Sequence, residues 1–195
     1  MQFRFLAVLT SLLVLTTTAC ETAAPPPRLP QMSFAHLPPI KLDVMRVETN
    51  SEFQPSFQAP NVEHLFPTSP EMATRRWVQD RIQPTGRGRM ARFIIHEAAA
   101  VETKLKTDKG FGGSFKNEQS ERYDLVLSAT LQILDERHMP VANSTARVTR
   151  SRTVLEDTSL AQREQIWFEI TEALMKDFDR EIEANIRQYM APYIR

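Results

Sequence analysis

His96-Glu97-Ala98-Ala99-Ala100 opens like the HExxH motif of zinc proteases, in which two histidines one helical turn apart hold the metal and the glutamate acts as general base. Ala100 stands where the second histidine is required, and the segment alternates like a strand, so no metal is expected there. His36, His64 and His138 fall in three other segments, and no GxSxG elbow accompanies any of them. With no nucleophile and base legible together, no cofactor is expected and the chain is read as a non-enzyme.

Asp108 to Gln119, DKGFGGSFKNEQ, gathers three of the five glycines around Phe111 and Phe115. It lacks the GK[ST] ending of a phosphate loop and joins two strands, so it offers no helix N-terminus to an anion. It reads as a long hairpin loop, or as flexible backbone that presents two rings to a partner or an acyl chain. Arg147, Arg150 and Arg152 are expected to share one face of the last strand, either as a solvated row or as a reader of anionic headgroups. These five residues are the candidate partner or lipid contacts.

The lone cysteine, Cys20, follows an uncharged, mostly apolar run from Leu6 to Leu15 and the small residues Thr16 to Ala19. Ten residues are too few to span a bilayer, which takes about 20, so residues 1–19 read as a signal peptide. The arrangement resembles a bacterial lipoprotein signal, in which a small residue precedes the cysteine that is lipidated and becomes the mature N-terminus. The resemblance implies lipidation at Cys20, with Thr17 standing where an aliphatic residue is usual. The alternative is an ordinary secretory signal cleaved after Ala19. Glu21, in place of the aspartate that retains such proteins in the inner membrane, implies the outer membrane facing the periplasm.

Six prolines between Glu21 and Pro39 disfavour helix and sheet, so residues 20–39 are expected to be an extended tether reaching about 50–60 Å. Lys plus Arg and Asp plus Glu both number 24, and this balance gives no reason to expect nucleic acid as a partner.

Every candidate residue beyond the tether must be held by a domain spanning residues 40–195. Alternation predicts a first strand over 39–49, with Ile40, Leu42 and Val44 on one side. Residues 51–70 carry four prolines with Phe53, Phe57, Val62, Leu65 and Phe66, and either pack across the domain or form an exposed strip for a partner. Ser69, Pro70 and Glu71 start a helix that Pro84 and Gly86 end; Met72, Ala73, Trp77, Val78 and Ile82 form its inward apolar stripe and Arg75, Arg76, Asp80 and Arg81 face solvent.

Three strands follow, over 89–105, 121–136 and 141–155. A bulge is expected near Ala98–Ala100 in the first, with Val101, Thr103 and Leu105 continuing its inward face; the last is expected at the sheet edge. Ser159 and Gln162 form a capping box for a helix of some 30 residues whose apolar stripe runs from Leu160 through Trp167 and Phe178 to Tyr189. Its end is expected to overhang, leaving Met190, Tyr193 and Ile194 for a subunit contact.

The predicted fold class is therefore α+β, a two-layer domain in β-α-β-β-β-α order with a four-stranded sheet and both helices on one face. Together with the anchor and tether, this order over residues 40–190 resembles the auxiliary lipoproteins of bacterial envelope lipid transport, including those of MCE-type transporters. The resemblance implies a docking or assembly role, with an envelope protein or a second copy as partner and the membrane reached through the lipid. A lipid-binding or lipid-sensing domain is the alternative.

Overall fold

The computed structural model of the chain describes residues 29–106 and 118–195. Its strands are β1 (Ile40–Leu42), β2 (Arg46–Ser51), β3 (Ile82–Pro84), β4 (Met90–Lys104), β5 (Gln119–Leu134) and β6 (Pro140–Leu155); its helices are α1 (Pro70–Arg81) and α2 (Leu160–Tyr189). The main sheet runs β2-β4-β5-β6, with β2 parallel to β4 and the other pairs antiparallel. This is the α+β, four-stranded class that the pattern predicts. The single strand expected over 39–49 is instead two, because β1 leaves the main sheet to pair with β3 in a small parallel sheet of its own.

The inner face follows from period-two alternation. Tyr123, Leu125, Leu127, Ala129, Leu131 and Ile133 of β5 are all buried, beneath Leu174, Phe178 and Ile182 of α2 and Trp77 of α1. Trp77 meets Phe178 edge-on at 5.4 Å and Phe93 of β4 at 5.8 Å, which locks both helices and the sheet into one cluster. Ser159 and Gln162 close the expected capping box at the start of α2. Helix α2 departs from its predicted stripe at both ends, where Leu160 and Tyr189 are exposed, and α1 departs from its own at Met72 in the first turn, which is exposed as well.

The bulge lies at His96, between the register pairs Ile95–Ala129 and Glu97–Ser128, and not at Ala98–Ala100. The extra residue switches the parity of β4. Ala98 and Ala100 therefore enter the core after Ala91, Phe93 and Ile95, while Val101 and Thr103 turn to the other face, contrary to the expected order.

Three further expectations are corrected. Part of the predicted tether belongs to the domain: Met32 and Phe34 are core residues, and the Phe34 N–H and the Ser33 hydroxyl both donate to Asp80 on α1. Arg81, expected in solvent, is fully buried between Asp179 and Glu183 of α2. Met190, Tyr193 and Ile194 form no free overhang, because a 3-10 turn at Ala191–Tyr193 folds the chain back onto β1. There the Asp43 N–H donates to Tyr193 O and the Arg195 N–H to Lys41 O, and Met190 is buried.

Residues 51–70 pack only in part, through their second half. Val62, Glu63 and Phe66 are buried, Val62 N–H donates to Ala100 O at 2.8 Å, and Glu102 N–H donates to Pro60 O at 2.9 Å. This short stretch continues the edge of β4 beyond the point where β2 stops, while Phe57 and Leu65 stay exposed.

Candidate docking surface

Both helices lie on the inner face, and the outer face of the sheet carries neither. At its centre Ala99 of β4 faces Val126 of β5, with Thr149 of β6 on the other side and Val101 diagonal to them. Charged pairs bound this apolar centre. Arg147 reaches Glu97 at 3.1 Å at one end, and Arg122 reaches Asp124 at 2.8 Å at the other, where Ser151 also donates to Asp124. Burial acts to raise the Asp124 carboxyl, but the hydrogen bonds from Ser151 and Arg122 outweigh it and hold the group below the usual range.

The bulge places His96 on this face, with Nδ1 2.7 Å from a Glu52 carboxylate oxygen and Nε2 2.9 Å from the Thr130 hydroxyl. The spacing is that of an acid–base–hydroxyl relay. Thr130, however, is nearly buried and its hydroxyl is held at 2.8 Å by that of Thr145, so it is closed to a substrate and the chain of bonds pins the bulge. Among the described residues no group of three His, Cys, Asp or Glu side chains is placed to hold a metal.

The three predicted arginines do not form one row. Residues three apart on a strand point to opposite faces, so Arg147 lies on the outer face, while Arg150 and Arg152 lie on the helix side. Arg150 pairs with Asp177, and Arg152 with Glu169 at 2.7 Å, both on α2. Hydrogen bonds from Gln165 and then Arg152 lower the Glu169 carboxyl. Each arginine is thus already paired within the chain. Cys20, Phe111 and Phe115 lie outside the described residues.

One long edge of the sheet is open. The edge beyond β4 is paired by β2 and by residues 60–62, which leaves β6 outermost on the other side. Helix α2 caps part of it: Arg147 N–H donates to Glu181 at 3.2 Å, and the Asn185 amide donates to Thr145 O at 2.9 Å. Parity could have placed the outer-face arginine from sequence, but the two capping residues lie some 35–40 positions downstream and give no local signal.

Two open grooves flank α2. One of about 880 Å³ runs between the helix and residues 30–37, beside Met32, Phe34 and Phe168, with Lys176 at its rim. The other, about 680 Å³, lies between the end of β6 and the first turns of α2. No described helix is long and apolar enough to cross a membrane.

No protein-family model and no curated protein matches the chain. The solved structures similar to it include three bacterial proteins. A minor lipoprotein from Acinetobacter baumannii shares 15% identity over 74% of this chain and 94% of its own, with a TM-score of 0.40. Rare lipoprotein B from Shewanella oneidensis shares 13% over 71% and 92%, with a TM-score of 0.35. A Xanthomonas campestris protein assigned to DUF330 shares 11% over 82% and 93%, with a TM-score of 0.37.

Proposed function

We propose that this chain is a lipid-anchored component of the bacterial envelope that faces the periplasm from the outer membrane and docks on, or helps to assemble, a membrane complex. Its role is non-enzymatic, and a lipid-transport complex of the MCE type is the setting that the resemblance in its sequence implies. The observation that carries the docking role is the sheet's outer face. Val126, with Ala99 nearly covered beside it and charged pairs at the margins, gives this face the anatomy of a protein-binding surface. A domain that only had to be stable would gain by covering it.

The anchoring reading rests on Cys20 and the apolar run before it. Once a diacylglyceryl group and an amide-linked acyl chain are attached, burial at about 0.8 kcal/mol per methylene makes the anchorage stable. A partner purified stoichiometrically with the chain from detergent-solubilised membranes, and lost on Val126→Glu, supports docking on this face. Recovery of the chain alone contradicts it.

The groove beside Met32, Phe34 and Phe168 favours a second reading, a lipid-binding or lipid-sensing domain. Native mass spectrometry separates the two, since that reading requires a bound lipid on the isolated monomer.

A further inference from the structure

We propose that the open stretch of β6 between Thr149 and Thr153 accepts an extended segment of a partner protein as a fifth strand, and that this segment mixes apolar residues with lysine or arginine. The inference rests on the docking reading and names the edge and the partner's chemistry.

The backbone supplies the first argument. In an antiparallel strand the N–H and C=O of one residue point to the same side, and the side alternates along the chain. Thr145 and Arg147 direct theirs away from β5, since Asn185 and Glu181 bond them from α2. Thr149, Ser151 and Thr153 share that parity, and the β5–β6 register is unbroken through all of them. Their peptide groups therefore point outward along the same edge. Helix α2 supplies the capping side chains at 145 and 147, and among the described residues no side chain bonds the N–H groups of the next three. A row of unpaired N–H and C=O groups is a template for another strand.

The groove supplies the second argument. The 680 Å³ groove begins at Arg152 and Leu155, where this edge ends, so a segment added along the edge runs into it. Leu29, Ala161 and Ile166 give it apolar walls. Its charge is mainly acidic. Glu169 is engaged by Arg152, whereas Asp157 and Glu164 form no ion pair with a described residue. An apolar side chain fills such a groove and a cation meets its two free carboxylates, while an acidic segment is repelled. The chain's own Pro25, Pro26 and Pro27 lack the N–H groups that an added strand must donate.

The test uses the full chain in detergent and a dye-labelled octapeptide of alternating valine and lysine, with the glutamate-for-lysine peptide as comparison. The valine–lysine peptide is expected to bind and to slow amide exchange at Thr149, Ser151 and Thr153, with the glutamate peptide at least about tenfold weaker. Thr153→Pro removes one edge donor at a position where proline suits an edge strand, and Glu164→Lys reverses a groove charge. Each is expected to weaken binding by about three- to tenfold with the melting temperature retained. Equal binding of both peptides, protection confined to other amides, or a dimer that shields this edge overturns the proposal. A membrane partner that still co-purifies with both variants overturns it too, and leaves the docking reading standing.

Discussion

Arg81 Nε sits 2.8 Å from Asp179 Oδ1 between the two helices, and the same oxygen accepts from the Trp77 indole at 2.8 Å. Glu183 takes the other end of the guanidinium. Arg81 is almost wholly buried, while both carboxylates keep some contact with water. Arg81→Ala leaves two partly shielded carboxylates without their cation. Removing one partner of a buried pair costs about 3–5 kcal/mol, and partial hydration of the acids reduces this to roughly 2–4 kcal/mol. A loss of about 5–15 °C in thermal midpoint is expected for a domain of this size. Arg81→Lys should recover only part of it, because one ammonium cannot match the two-sided fork.

Phe34 and Asp80 tie the end of the proline-rich segment to α1. Phe34→Ala should cost about 2–4 kcal/mol in chemical denaturation. Burial acts to raise the Asp80 carboxyl, but the Phe34 N–H, the Ser33 hydroxyl and Arg76 together hold it below the usual range. A carboxyl lowered by folding stabilises the protein above its unfolded value near 4, and that stability is lost as the pH falls through the lower folded value. The urea midpoint should therefore drop between about pH 5 and pH 2, and Asp80→Asn should flatten that drop. Parallel pH profiles for the two proteins would contradict the assignment.

Tyr123 is buried, and its hydroxyl donates to Glu121 at 2.8 Å while accepting from Arg163 at 2.8 Å. Burial, the hydrogen bond to Glu121 and the nearby Glu102 push the phenol well above its ordinary value. An ordinary tyrosine ionises near pH 10, so at pH 11 the folded protein and Tyr123→Phe should show the same phenolate absorbance. The stabilisation from this raised group is complete below about pH 10 and fades only as the pH rises toward the folded value. Lower absorbance in the variant would show that Tyr123 ionises normally.

Much of this fold was legible because burial imposes period. In β5 every second residue from Tyr123 to Ile133 is apolar and buried, and the Ser159–Gln162 box marks the start of α2 from four residues alone. What escaped the sequence depends on partners far along the chain. Arg81 looks solvated until Asp179 and Glu183 are brought to it from about 100 residues away. Ala98-Ala99-Ala100 carries no alternation, so it cannot reveal that the bulge at His96 has changed which face points inward. Met32 and Phe34 were hidden among prolines that signal a linker. Within the candidate docking surface, only Arg147 among the described candidates reaches the outer face. Ala99 and Val126 carried no signal, because short apolar side chains on an outer face resemble those of an ordinary strand.

Cys20→Ser removes the proposed site of lipid attachment. The variant should stay unprocessed by the lipoprotein peptidase and keep the mass of the uncleaved, unlipidated chain. A variant that still fractionates with membranes at the mature mass would show that another feature holds the chain there.

A photo-reactive residue placed at Val126, on the outer face, reports directly on whether that face meets a partner in intact cells. The same probe at Glu172, on the solvent side of α2, provides the comparison. The docking account predicts a discrete higher-mass adduct from position 126, retained after denaturation, and little or none from position 172. Adducts from position 172 alone, or none from either, would contradict it.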